Sequence, residues 1–379
     1  MLVDGSPYGW TIDLGTNVFN QIVDPLGAFT GANRVDTIDT FILWNKPGTR
    51  QFGNTLSNII TPFDPLQFAS KSNFPDLLQT LIVRRHEIVL LGTLTGEVWY
   101  NMGSPLYPFA ELPGSVIEHG TLAPASVAGS DIAVHWLGQD REGHDIVFRL
   151  RGYETKVISN YALSVAFRKM RAAGSDLTDA IGYCYQQDGH GFYVLQFPSG
   201  NQTWVFDSSI DDPLSCWHQE AWTDANGNLN RHRGNCCAHL YGKNIVGDWQ
   251  NGTIYSMDLD TYTDTVGGVT GPISYIRTFP HIVAGTDERS MQEALANGKR
   301  IQYTNFKADI ECGTGPLDIN GAPAQITLNW STDRGKTFGQ GILQSAGAPG
   351  EYLTQPQWSP IGVGRDVVFE LSHSINGPA

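Results

Sequence analysis

Residues 88–101 read IVLLGTLTGEVWYN. Two apolar runs flank a polar turn that carries Gly92 and Gly96. β-Branched and aromatic residues favour extended backbone and glycine eases a tight reversal, so the stretch is a hairpin of two buried strands. The unit recurs. FILWNKPGTRQFGN starts at Phe41, IAVHWLGQDREGHDIVFRL at Ile132, FYVLQFPSGNQTWVFD at Phe192 and IVGDWQNGTIYSMD at Ile245. Propeller blades repeat every ~40–50 residues, and insertions lengthen some of them. The copies share a geometric pattern, with little identity. The spacing predicts an all-β chain: a β-propeller of about six blades over residues 1–270, with a β-rich unit over 271–379.

The longest step, between Ile132 and Phe192, contains SNYALSVAFRKMRAAG, residues 159–174. Leu163, Phe167 and Met170 fall on one helical face. Ser159 is read as the N-cap, Arg168, Lys169 and Arg171 suit the C-terminal end of the dipole, and Gly174 ends the helix. A propeller does not require this insertion. It is either an interface element or a lid on the core. A second short helix is expected at 287–298, capped by Asp287 and stopped by Gly298.

Beyond residue 270, FKADIE, ITLNWS, FGQGIL and DVVFEL read as four strands. They form either a last blade or a small β domain. STDRGKTF, residues 331–338, joins the middle pair and fits the Asp-box pattern Ser-x-Asp-x-Gly-x-Thr-aromatic. In a structural reading Ser331, Asp333, Gly335, Thr337 and Phe338 build a turn. Asp333 accepts backbone N–H groups, Gly335 takes positive φ and Phe338 tucks beneath. The opening WTIDLGTNVFNQI reads as strand–turn–strand, able to pair with the last unit and close a ring.

The 379 residues carry a net charge of −14. Phosphate neutralisation needs clustered Lys and Arg, and no such run exists, so tight sequence-independent DNA binding is not expected. The five cysteines are odd in number and two are adjacent, which does not make a disulfide framework and suits synthesis in a reducing cytoplasm. No apolar run reaches membrane-spanning length, and no signal peptide opens the chain.

Candidate sites are few. HRGNCCAH offers His232, Cys236, Cys237 and His239 as soft ligands for zinc. Adjacent cysteines on a strand point to opposite faces, so two small buried hydrophobes beside surface histidines is the preferred reading, with no metal and no cofactor. His190 in DGHG is read as a hairpin residue. A sialidase would require convergent arginines and a tyrosine paired with a glutamate. Arg34, Arg84, Arg149 and Arg277 are the available arginines, and none lies in a sialidase-like motif. No catalytic residue is assigned.

Five ordered stretches carry a resemblance: GEVWYNMGSPLYPFAELPGSVIEHGTLAPASVA, VHWLGQDREGHDIVFRLRGYETKVIS, GFYVLQFPSGNQTWVFDSS, CCAHLYGKNIVGDWQNGTIYSMDLDTYTD and IRTFPHI. Together they resemble the packaged-DNA stabilisation proteins of short-tailed double-stranded-DNA phages, also called tail accessory or hub proteins. The resemblance runs from about Thr11 to Leu371 and implies no enzyme. It implies a virion subunit, made in the host cytoplasm and monomeric alone. In the tail it forms a ring of six below the portal and its adaptor ring. It closes the channel after DNA packaging and receives the tail needle or the rest of the tail. DNA passes or abuts it without tight binding, and no membrane is involved. Family members begin with a further N-terminal segment, so this chain is read either as an incomplete ring or as a shortened prophage copy. The alternative reading is a sialidase-like glycoside hydrolase or glycan-binding propeller.

Overall fold

A computed structural model describes residues 1–374 except 211–214, 225, 267, 285–287 and 318–320. The chain divides into two compact units, Met1–Met257 and Asp258–Ala379.

The first unit is a succession of small antiparallel sheets, each a meander whose strands follow chain order. Three strands between Leu2 and Gln21 form the first sheet, and four between Val35 and Ser70 the second. Four strands each between Leu78 and Glu111 and between Ala128 and Val157 form the third and fourth. Five strands between Ile181 and Arg231 form the fifth, and three between Gly234 and Met257 the sixth. The hairpin at 88–101 forms as the sequence dictates: Glu87–Gly92 pairs with Gly96–Asn101. Ile88, Val89, Leu90 and Leu91 are all buried, because this strand has a packed layer on both faces.

Each sheet packs on the next, as blades do. Leu43 and Phe52 of the second sheet meet Leu81 and Leu90 of the third. Val89 and Val98 of the third meet Trp136 and Phe148 of the fourth. Leu137 and Val147 of the fourth meet Tyr193 and Phe206 of the fifth. Tyr183 and Val205 of the fifth meet Cys237 and Met257 of the sixth. Among the described residues, no core cluster joins the sixth sheet to the first. Among the described residues the opening hairpin forms a sheet of its own, in which Gly9–Asp13 pairs with Leu2–Val3 and Val18–Gln21. Its neighbours are Phe29, Trp44 and Phe63, around which Val3 and Ile22 pack.

The helix between the fourth and fifth sheets spans Tyr161–Ala172 and buries Leu163, Phe167 and Met170 against both. Its cap is Asn160, whose side chain accepts from Leu163 N at 2.9 Å, in place of Ser159. The Ser159 hydroxyl is engaged elsewhere and accepts from Val147 N at 3.2 Å. Gly174, at φ +88°, takes the chain out of the helix. The second helix spans Glu288–Ala296; the Asp287 cap lies outside the described residues.

In the second unit the main sheet has Ser274–Thr278 at one edge, then Asp366–Ser374, Gln325–Ser331 and Ile342–Ser345. Ile282–Val283 also pairs with Asp366–Ser374. The expected strand FKADIE is shorter than read, covering Phe306–Lys307, and FGQGIL is displaced, its strand covering Ile342–Ser345. Trp358, Leu328 and Phe369 centre the core of this unit.

Candidate functional site

In the first unit the first strands of the second to sixth sheets run beside one another. There side chains bridge one sheet to another. Asp36 Oδ2 accepts from Val83 N at 2.7 Å. Arg34 Nη1 reaches Val127 O at 2.5 Å, joining the second blade to the fourth. Arg84 donates to Gly129 O, and Gln186 Nε2 donates to Asp131 Oδ2 at 2.9 Å. Asn244 Nδ2 of the sixth blade donates to Gln186 O at 2.7 Å. Gly129 makes room for this: a Cβ there would fall 1.8 Å from Arg84 Nε.

Burial lowers the pKa of Arg34 below the usual guanidinium value; Asp36 opposes the shift and Arg84 adds to it. Cys184 is close to both arginines, yet burial dominates and pushes its thiol up to about 12. His135 is pushed down to about 3 by burial, with the Arg149 charge adding to the shift. Its neutral ring stacks on Tyr193 at 5.0 Å. Arg34 and Arg84 therefore spend donors on backbone carbonyls. Arg277 lies in the other unit, against the Phe279 ring at 5.6 Å. Of the four arginines weighed for a sugar carboxylate, Arg34 and Arg84 lie near one another in the first unit.

Inter-blade loops are held by buried charge that sequence reading passed over. Lys71, 1% exposed, pairs with Asp76 and donates to Thr95 Oγ1 at 2.6 Å. Asp76 Oδ2 accepts from Leu94 N and Thr95 N, fixing the turn of the 88–101 hairpin. Glu97, wholly buried, accepts from Ser72 N at 3.0 Å, Asn73 N at 3.2 Å and Trp99 Nε1 at 3.0 Å. A buried carboxylate is tolerated when its lone pairs are filled in this way. The signal in sequence was a glutamate inside an otherwise apolar strand.

The Asp box sits between the paired strands Gln325–Ser331 and Ile342–Ser345. Asp333 Oδ1 accepts from Lys336 N at 3.0 Å and Thr337 N at 2.9 Å, and Oδ2 from Thr337 Oγ1 at 2.6 Å. Ser331 Oγ donates to Asp333 Oδ1 at 2.6 Å and accepts from Gly335 N at 2.8 Å. Gly335 has φ +78°, and Phe338 is half-buried. The Ser331 and Thr337 hydroxyls hold the Asp333 carboxyl well below the usual range.

His190 begins its strand after a turn with positive φ at Asp188 and Gly189, and its Nδ1 lies 2.7 Å from Asp207 Oδ2. The cysteine cluster corrects one reading. Cys236 is exposed and Cys237 half-buried, because the strand Gly234–Leu240 presents alternate residues to solvent. His239 Nδ1 contacts Asn244 Oδ1 at 3.0 Å, and His232 Nδ1 accepts from Gly234 N. The residues of HRGNCCAH do not converge on one point. Among the described residues, one trio with ligand spacing occurs, Asp140, Glu142 and His144 in an exposed hairpin turn. Asp140 Oδ1 is occupied there by the N–H groups of Glu142 and His144. No helix among the described residues is long and apolar enough to cross a membrane.

Residues 4–262 match the family described as Bacteriophage P22 Gp10, beta-propeller. The chain belongs to this family of phage stabilisation proteins. It is a phage structural protein of the virion, and its fold is the β-propeller. No curated protein matches the chain. Among solved structures, dihydro-heme d1 dehydrogenase NirN is similar at 10% identity and TM-score 0.38, over 68% of this chain and 51% of that one. An exo-β-1,3-galactanase from Phanerochaete chrysosporium is similar at 10% identity and TM-score 0.30, over 99% and 92%. An engineered GH43 glycoside hydrolase follows at 9% identity and TM-score 0.28, over 90% and 97%. At these scores the likenesses transfer no activity to the Gp10-like chain.

Proposed function

We infer that the chain is a tail hub, or tail accessory protein, without enzymatic activity. It closes the portal channel after packaging, stabilises the packaged DNA and links the portal–adaptor ring to the tail needle or tail. Six copies form the ring in the assembled tail, and the isolated subunit is a monomer. The observation that carries this reading is the family match across the whole propeller unit. Two further features support it. The central arginines Arg34 and Arg84 each donate to a backbone carbonyl, which draws that donor away from a sugar carboxylate. The net charge of −14 disfavours trapping of DNA phosphates at a channel wall. The chain is made in the host cytoplasm, where the odd cysteine count is harmless. The C-terminal unit is read as a small β domain beyond the blades, and the Asp box as a structural turn within it.

Two assays on one preparation test the function. The subunit should co-sediment with its cognate portal–adaptor assembly, because six presented sites raise the effective concentration at which neighbouring subunits meet. It should not hydrolyse a fluorogenic sialoside panel. Hydrolysis abolished by an arginine substitution would defeat the hub reading.

A further inference from the structure

The second unit holds a cavity of about 270 Å³ with almost wholly apolar walls. Ile326 and Ala346 are its buried wall; Tyr275, Ile276 and Arg277 are its exposed one. The volume falls below the roughly 300–1,000 Å³ of small-molecule sites, and suits one or two apolar side chains. Tyr275, Ile276 and Arg277 belong to the sheet's edge strand, Ser274–Thr278, all five residues of which are exposed.

The pairing geometry says what that edge lacks. Phe279 N donates to Phe369 O at 2.8 Å, and the register Thr278↔Glu370 to Ser274↔Ser374 continues from that pair. In an antiparallel ladder, bonded and non-bonded pairs alternate. Arg277 and Tyr275 therefore bond to the neighbouring strand, and the N–H and C=O groups of Ser274, Ile276 and Thr278 point to the open side. Two side-chain features add to this. His373 Nδ1, in the cavity wall, is buried and has no hydrogen-bond partner among the described residues. Arg277, on the exposed edge strand, and Glu311 both line the cavity, and neither is in an ion pair among the described residues.

We propose that this cavity and the open edge of Ser274–Thr278 form one docking site for an extended segment of another virion protein. The segment adds a strand to the sheet, seats one apolar side chain in the cavity and places a carboxylate opposite Arg277. Main-chain bonds supply attachment, while the cavity and Arg277 supply selectivity. Cavity and cation both lie on the Tyr275–Arg277 face, two residues apart, so the apolar and acidic residues of the partner are also two apart. The proposal rests on the virion-hub reading for the source of the segment, not for the geometry.

The test uses the full chain and a fluorescein-labelled peptide, acetyl-Lys-Thr-Phe-Thr-Asp-Thr-Lys-amide, read by fluorescence anisotropy. Ile276→Pro removes an N–H that faces the open side and spares the internal ladder, as proline does at sheet edges. Arg277→Glu reverses the charge. Saturable binding to the native chain is expected, at least tenfold weaker for either variant, with both thermal midpoints unchanged. A peptide with Lys in place of Asp should prefer Arg277→Glu over the native chain, a reversal that mere loss of folding cannot produce. No saturable binding up to millimolar peptide, or equal binding by the native chain and both variants, overturns the proposal. Co-sedimentation with the portal–adaptor assembly is run in parallel. Co-sedimentation without peptide binding sinks the docking site alone, and peptide binding without co-sedimentation sinks the hub reading alone.

Discussion

Gly182→Ala tests the blade-to-blade packing at a point where nothing can give way. Gly182 lies on the inner strand Ile181–Gln187 of the fifth blade. A Cβ there would fall 2.1 Å from the Ser126 carbonyl oxygen and 3.0 Å from Tyr193 Cε2. Ser126 is wholly buried in a backbone turn before the fourth blade, so the obstacle is main chain. Two close-packed sheets must separate by about 1 Å to admit the methyl group. Overpacking of this kind costs about 1–3 kcal/mol. The separation also breaks the 2.9 Å bond from Tyr193 Oη to Ser126 O, at a buried site where a lost partner costs about 1–3 kcal/mol more. The sum, about 2–6 kcal/mol, is a large share of the ~5–15 kcal/mol that holds a domain. Hydrogen exchange followed by mass spectrometry reads it locally. Protection of Ile181–Gln187 and His190–Phe197 should fall at least about 30-fold. Gly48→Ala is the control: its φ is +71° with open space around it, so only backbone strain of about 1–2 kcal/mol applies, far from this seam. A Gly182→Ala protein with native protection in those two strands would refute the close approach of the blades.

Three further outcomes follow from named residues. Asp333 has a folded pKa below its ordinary 3.8, so its stabilising effect is full above that value and is lost as pH falls towards the folded one. The thermal midpoint of Asp333→Asn should lie below native at pH 6 and converge on it below pH 3.8; a pH-independent gap would remove the carboxylate from the turn. All five thiols should react with a thiol reagent in denaturant, with Cys236 first and Cys184 slowly in the folded protein; stoichiometric zinc lost in His239→Ala would overturn the absence of a metal. Leu163→Ala should cost about 2–5 kcal/mol by urea unfolding, because Leu163 is 0% exposed in the helix–sheet core, whereas Lys169→Ala on the outer face should be near neutral.

The middle blades were legible because they bury hairpin strands on both faces, which forces runs such as IVLL and VWY beside glycine turns. The helix was legible from the spacing of Leu163, Phe167 and Met170. Its cap was not: Ser159 and Asn160 are both good caps, and only the tertiary bond from Val147 N to Ser159 decides between them. Strand lengths in the second unit were overread, since β-propensity at Phe338 and Ile310 says nothing of whether a pairing partner lies alongside. The exposure of Cys236 was hidden for a similar reason, because alternation fixes opposite faces without saying which one meets solvent. Long-range features left almost no trace. The reach of Arg34 to Val127 spans 93 positions, and the cavity draws on residues between Tyr275 and His373.

The hub assignment meets its most direct test in electron micrographs of purified cognate portal–adaptor assemblies, taken with and without this protein. The account predicts an added six-fold ring below the adaptor only when the protein is present, and single separate particles when it is alone. Assemblies that look the same with and without it, at saturating protein, would contradict the account.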